Sequence, residues 1–404
     1  MIRSIRSIHK EAFLFAIIAV SGVCGFMQLP PLLYYVTLVA LMLRYLVAGG
    51  LRLGSISLLV LLVVAVGSIV IAKPSAVFRS WERLALFVVV LLLVSPLVES
   101  KGLLLFRMKA FRYILRILTV LSALSFPCYY LGINFMIRGE MDYLAAVGGF
   151  GGLYSHSMLL GPMSAISSIT LLSSVIHSSE GAKGAWRILP LVLLLCTMGS
   201  TLLSASRVAI FGMFLVFVVI FVKHYATGLF RFLRYSLLIG LLLYSTAPLW
   251  VGLFDRVMTK QQHNKEMGGG MFYSRINKWH ARLYEINESP IIGVGFAAID
   301  PRSGDYYERR SGTIEPGSSW LYILSSMGLL GFVAFVSFAL RRYVLLIRYI
   351  HLSSYHATVA GSVLFLAISM VAEGYIFSAG SFLCLLVWLS FGNSTIAISH
   401  QYHD

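Results

Sequence analysis

YSRINKWHARLYEINESPIIGVGFAAID, residues 273–300, and EPGSSWLYILSSMGLLG, residues 315–331, close the one long polar interval of an otherwise apolar chain. Between Phe254 and Trp320 fall eight of the 16 acidic residues and nine of the 32 basic ones. The 404 residues are 58% hydrophobic and only 12% charged, against about 25% charged in soluble domains. That composition describes a polytopic membrane protein. The net charge of +16 comes from short Lys and Arg clusters between apolar runs. This is the pattern of membrane topology, not of a nucleic-acid surface, and no nucleic acid partner is expected.

A helix that crosses a bilayer takes about 20 largely apolar residues. Apolar runs near 12–29, 31–48, 55–72, 84–98, 114–132, 157–176, 187–203, 208–223, 235–253, 319–340, 356–373 and 376–392 predict an all-α polytopic membrane protein with about 12 transmembrane helices. Residues 1–253 hold the first nine, 254–318 form one large outer (periplasmic) loop containing amphipathic helices, and 319–404 hold the last three. With the N-terminus inside, the inner loops carry 18 Lys and Arg and the short outer loops five: Lys73, Arg79, Arg83, Arg138 and Arg207. Positive charge stays inside, so both termini are expected in the cytoplasm. MIRSIRSIHK before an apolar run imitates a signal peptide, but Val23 before Cys24 is a poor lipoprotein site, and a retained first span is expected. Cys24, Cys128, Cys196 and Cys384 stand singly in apolar segments, as buried small hydrophobes do. The basic stretch KGLLLFRMKAFRYILR, 101–116, reads as an inner loop or as a helix lying on the inner face.

Within the outer loop the spacing predicts an amphipathic helix over Tyr273–Ser289, ended by Pro290. Ile276, Trp279, Leu283 and Ile286 make one apolar stripe; Arg275, Lys278, Arg282 and Glu285 make the adjacent one. Three cations over two turns span about 10 Å, a match for a pyrophosphate, whose oxygens guanidinium groups bind in pairs. The bland reading is a solvated face with Arg282 and Glu285 paired at i, i+3. Pro290-Ile291-Ile292-Gly293-Val294-Gly295 lacks the strand–helix setting of a dinucleotide loop and reads as a tight backbone turn. Glu315, just before the next apolar run, is a candidate general base, or a plain surface carboxylate. Ser318 or Ser319 is placed to cap that run, and Trp320 to sit in the interfacial belt. Arg207, in a tight hairpin between two spans, is a functional candidate because charge near hydrocarbon is costly; snorkelling to the headgroups is the alternative. Glu373 stands similarly at the end of a run. His156, after a Gly-rich turn, and His280, on the amphipathic stretch, have no partner visible in the sequence and are more often structural. No HExxH, Walker A or nucleophile elbow occurs, and the outer loop has no Asp-x-Asp pair. No metal or cofactor is therefore expected.

Several of these pieces together resemble the O-antigen ligase and polymerase superfamily of bacterial envelope glycosyltransferases. They are Ser206-Arg207 after an apolar run, Ser274-Arg275 with Trp279, the segment 290–295, and Trp320-Leu321 through Gly328-Leu329-Leu330-Gly331. The resemblance covers roughly residues 150–340. It implies transfer of a glycan from undecaprenyl pyrophosphate to an acceptor hydroxyl, inverting and metal-independent, at the outer side of the bacterial inner membrane. Family arginines at the positions of Arg207 and Arg275 would hold the donor pyrophosphate; the helix spacing adds Lys278 and Arg282, and the reading of the residues leaves His280, Ser318, Ser319 and His156 as possible acceptor or supporting groups. In the ligases a His shortly before the Gly-Leu-x-Gly span is the base. Here the stretch is Glu315-Pro316-Gly317-Ser318-Ser319-Trp320, which would put Glu315 in that role. The departure favours a surface-polysaccharide polymerase, joining repeat units, over a ligase that uses lipid A–core as acceptor. A polysaccharide flippase is the rival from another class, but transporters keep polar residues near the midplane, whereas here they gather in one loop.

Overall fold

The computed structural model describes residues 2–136, 149–177, 185–225, 273–305 and 307–399. Among them are twelve helices: α1 (Ile2–Ser21), α2 (Pro31–Val47), α3 (Ile56–Ala72), α4 (Ser80–Val94), α5 (Lys101–Tyr130), α6 (Ser157–His177), α7 (Ala185–Leu203), α8 (Arg207–Tyr225), α9 (Tyr273–Glu288), α10 (Ser319–Tyr349), α11 (Ser354–Ser369) and α12 (Phe382–Ser399). A two-residue antiparallel ladder, Arg52–Leu53 with Val98–Glu99, joins two turns at the end where the helical part of the basic stretch begins.

The expectation of about twelve spans is not met. Four described helices are long and apolar enough to cross a membrane: Lys101–Tyr130, Ser157–His177, Arg207–His224 and Ser319–Tyr349. Others, such as Pro31–Val47, Ile56–Ala72 and Ser354–Ser369, are apolar but no longer than 17 residues. The reason is that apolar residues here also build turns. The first helix runs from Ile2 to Ser21, so Gly22–Pro30 is connection. Residues 370–381, read as parts of two abutting spans, form successive turns between α11 and α12. The basic stretch 101–116 is neither loop nor separate surface helix but the first half of the 30-residue α5. Its Arg107 is fully buried and donates to the Leu92 and Leu93 carbonyls at 3.1 and 2.8 Å, capping the end of α4 as basic side chains do. The expected span at 235–253 lies outside the described residues.

Helix α6 packs against α5, α7, α8 and α11. Small residues let these backbones close: a side chain on Gly161 would run into Ser204 and Ser206, and one on Gly361 into Ile169. Buried hydroxyls return their bonds to carbonyls of their own helix or bridge helices, as Thr201 does to Ser164 and Ser168 to Thr197, both at 2.9 Å.

The element that positions everything at the opposite end is a broken helix. At Gly328, φ 62° and ψ −166° interrupt α10, a conformation open essentially to glycine. The Leu329 and Leu330 amides turn from their own helix to the Pro290 and Ile291 carbonyls, at 2.8 and 3.3 Å. The freed Ser325 and Ser326 carbonyls accept from the Val294 and Gly295 amides at 2.9 and 3.0 Å. Two helical bonds are exchanged for four to the glycine turn, which meets the rule that backbone polar groups within an apolar bundle find partners. Gly293 (φ 80°) is required by approach as well as by φ, since a Cβ there would meet the Ser326 carbonyl carbon at 2.4 Å. Beyond the turn, residues 295–300 are buried; Phe296 stacks among Phe87 and Phe377 and its amide donates to Ser68 of α3 at 3.0 Å.

Gly328→Ala and Gly293→Ala should each cost on the order of 1–3 kcal/mol from backbone strain alone, more with the clash. Thermal unfolding in detergent checks this, with Gly304→Ala as the control: it shares a positive φ (75°) but has open space around its Cα.

Candidate functional site

Helix α9 lies on α10, held by Trp279, whose indole donates to the Gly317 carbonyl at 3.2 Å. Its orientation decides which of the charges are buried. Ile276 and Leu283 of the apolar stripe are 37% and 47% exposed, whereas Arg282 and Glu285 have no exposed surface. Arg282 and Glu285 of the polar stripe face the protein, as Trp279 does, while the exposed side of α9 carries Ile276 and Leu283 together with Asn277, His280 and Glu288.

That inward stripe divides in two. At its lower end Arg282 bonds Asp305 at 2.7 Å and Glu285 at 3.1 Å, while Glu285 also accepts the Asp300 amide at 2.9 Å. The Arg282 guanidinium lies 5.9 Å from the centre of the Tyr322 ring. Burial pushes the Glu285 carboxyl up to about 7, against the pull of Arg282 and the Asp300 amide. A buried pair is strongly coupled to its partners and has no access to a ligand, so Arg282 stands apart from the other cations as a tie between α9 and the loop.

At the upper end Arg275 reaches Glu315 at 2.5 Å and Glu373 at 3.0 Å. Lys278 pairs with the other Glu315 oxygen. Two cations thus meet two carboxylates contributed by three separate segments. Burial works to raise Glu315, but Lys278 and Arg275 outweigh it and hold the carboxyl below its ordinary range. Burial pushes Glu373 upward, with Arg275 pulling the other way. The turn that carries Glu373 is pinned by Ser319: its amide and hydroxyl donate to the Glu373 carbonyl at 2.9 and 2.7 Å, and its oxygen accepts the Tyr375 amide at 3.0 Å. Ser318 caps α10 by accepting the Leu321 amide. Trp320 packs inward, donating to the Ala367 carbonyl at 2.9 Å, rather than standing in an interfacial belt.

Arg207 opens α8 after a hairpin in which Ala205 takes φ 52°. One guanidinium nitrogen, Nη1, is buried without a hydrogen-bond partner among the described residues. Buried unpaired polar atoms of this kind ask for an explanation. Gly212 of α8 packs on Phe365 and Ile368 of α11, so moving back to Arg207 leads toward the end of α11, where Glu373 follows. His280 is exposed on α9. His156 accepts the Met158 amide on Nδ1 at 2.9 Å at the start of α6, a capping role. Asp305 was not legible as a site residue: no spacing links it to Arg282. Glu373 was visible only as a lone charge at the end of an apolar run.

Residues 191–336 match the O-antigen ligase family. The matched segment contains Arg207, Arg275, Lys278, Glu315 and the Gly328 break, but not Glu373. The match supports a general O-antigen ligase/polymerase-type enzymatic role for this membrane protein. No curated protein matches the chain.

Two outcomes follow from the buried triad. Arg282→Ala leaves Asp305 and Glu285 uncompensated, and loss of on the order of 3–5 kcal/mol is expected, read as loss of folded protein in detergent. Glu285 holds its proton more tightly folded, at about 7, than its ordinary 4.5. Its contribution to stability is therefore complete below the lower value and lost as pH rises through the higher one. Thermal unfolding of Glu285→Gln across that range should be flatter than wild type; parallel curves would contradict the assignment.

Proposed function

We propose that this chain is a membrane glycosyltransferase of the ligase type. It moves a glycan from a polyprenyl diphosphate, undecaprenyl pyrophosphate, to an acceptor hydroxyl at the periplasmic side of a bacterial inner membrane. The observation that carries the reading is the convergence of Arg275 and Lys278 on the half-exposed Glu315, at the end of the bundle where Arg207 keeps an unpartnered nitrogen. The O-antigen ligase match favours lipid A–core as acceptor; the missing His, which favours a polymerase, weighs less.

In this reading the donor diphosphate takes Arg275 and Lys278 from Glu315 and adds Arg207. The acceptor oxygen bonds to the anomeric carbon from the face opposite the diphosphate, inverting the centre, while the carbon–oxygen bond to the diphosphate breaks and its electron pair leaves with the phosphate oxygen. The cations gain affinity as that charge develops, which is where stabilisation lowers the barrier. The acceptor's proton passes to Glu315. Freed from its two cations, Glu315 regains the proton affinity they suppress, so donor binding arms the base. Glu373 stays on Arg275 and orients it. A second assignment has one observation in its favour: burial raises Glu373, as suits a base.

Purified protein with a synthetic undecaprenyl-pyrophosphate oligosaccharide should yield a single shifted product that requires lipid A–core; a ladder from donor alone would return the polymerase reading. Arg275→Ala and Arg207→Ala should each lower kcat/KM by about 10²–10³ with expression intact, and near-wild-type transfer in both would sink the proposal. Glu315→Gln should lose about 10²–10⁴ in kcat, and Glu373→Gln should chiefly raise the donor KM. The reverse pattern would exchange their roles.

A further inference from the structure

Two cavities at the site end of the molecule remain unused by the transfer chemistry, and they adjoin. The larger, about 430 Å³, is lined by Tyr35, Arg83, Thr313, Tyr322 and Ser381, among others. The smaller, about 160 Å³, lies between the adjoining ends of α1 and α2 and is bordered by Ser21 and Tyr34. Tyr35 and Gly380 line both. A side chain at Gly380 would run into the Tyr35 hydroxyl, so glycine lets Tyr35 pack directly on this segment and form the shared wall.

The lining chemistry is specific. Aromatic rings that carry hydroxyls present an apolar face and a polar tip together. Hydroxyls of Ser21, Thr313 and Ser381 both donate and accept, and no lining residue is a carboxylate. The Tyr34 hydroxyl is buried without a hydrogen-bond partner among the described residues. The one cation, Arg83, donates to the Ala297 carbonyl at 3.2 Å and the Gly312 carbonyl at 2.6 Å, fastening the outer loop over the groove. Larger ligand sites have volumes of about 300–1,000 Å³ with a few placed polar groups, and the larger cavity alone lies in that range.

Position completes the argument. Pro316 lines the larger cavity and is bonded to Glu315. It also packs on Gly374, the neighbour of Glu373. Through Pro316 the larger cavity therefore ends next in sequence to Glu315 and in contact with the neighbour of Glu373.

We propose that the larger cavity is a groove for the acceptor's carbohydrate chain, ring faces against Tyr35 and sugar hydroxyls on Thr313 and Ser381, and delivers one sugar hydroxyl to Glu315. The assignment rests on the glycosyl-transfer reading and locates its acceptor. The acceptor hydroxyl is then delivered to the face of the anomeric carbon opposite the diphosphate, as an inverting displacement needs.

The test places the photoreactive p-benzoylphenylalanine at Tyr35 or at exposed Ser378, which also lines the larger cavity, and at Leu43 on the outside of α2 as control. Membranes that make the glycan are irradiated, adducts are stained for carbohydrate, and transfer to lipid A–core is measured in parallel. Carbohydrate-bearing adducts at 35 and 378 and none at 43 are expected. Adducts free of carbohydrate, or equal labelling at 43, in membranes that still transfer would overturn the groove and leave the function standing. Carbohydrate adducts in membranes without transfer would keep the groove and remove the function. As a second measurement, Ser378→Trp, at an exposed position, should raise the acceptor KM about tenfold or more, about 1.4 kcal/mol, with the donor KM unchanged; an unchanged acceptor KM overturns the groove.

Discussion

The exchange of hydrogen bonds between α10 and the Pro290–Gly295 turn is the constraint on which the site depends. A helix interrupted inside an apolar bundle leaves amides and carbonyls that nothing but other backbone can satisfy. Here the interruption at Gly328 and the turn at Gly293 supply each other's partners. Because the turn follows directly on α9 and leads into the buried run ending at Asp300, docking it sets the height and rotation of α9. The break also ends the first segment of α10 whose capped start carries Ser318 and Ser319, and through Ser319 the turn bearing Glu373. Four segments distant in sequence thus share one anchor.

Rotation of α9 decides which charges are structural and which are available. The helix turns its polar stripe inward, so the same spacing that aligns Arg275, Lys278, Arg282 and Glu285 delivers them to two different depths. Arg282 and Glu285 enter a region without exposed surface and are neutralised together with Asp305. Arg275 and Lys278, two and one turns earlier, lie nearer the surface, 13% and 22% exposed, where both pair with Glu315, a carboxylate that is itself 62% exposed. A buried ion pair is costly to open; a half-exposed one exchanges its partner for a diphosphate at little cost. Depth, not residue type, separates tie from binding group.

Several elements were readable in advance because they follow from local rules. The end of α9 just before Pro290, the cap at Ser318, and the cations of the helix all follow from periodicity and end signals. The number of spans was not readable. Apolar composition marks a segment as avoiding water, and in this chain turns such as 370–381 avoid water as thoroughly as helices do, packed against α10 and α12. The rotation of α9 was not readable either: periodicity separates two faces but does not say which of them the protein buries.

By itself the sequence determined an apolar, helical, positively charged membrane protein with its chemistry-bearing residues collected in one interval, and a family pattern of short motifs around Arg207, Arg275 and Gly328. These are properties of composition and of neighbours within a few residues. Tertiary structure alone decided that Glu315 and Glu373, 58 positions apart by number, meet on one arginine. It alone decided that Arg282 is sealed by an aspartate 23 positions away, and that a glycine turn read as plain connection completes a broken helix. The physical reason is that charges and backbone groups inside an apolar bundle must find partners wherever the packing brings them, and packing is set by the whole chain rather than by its local order.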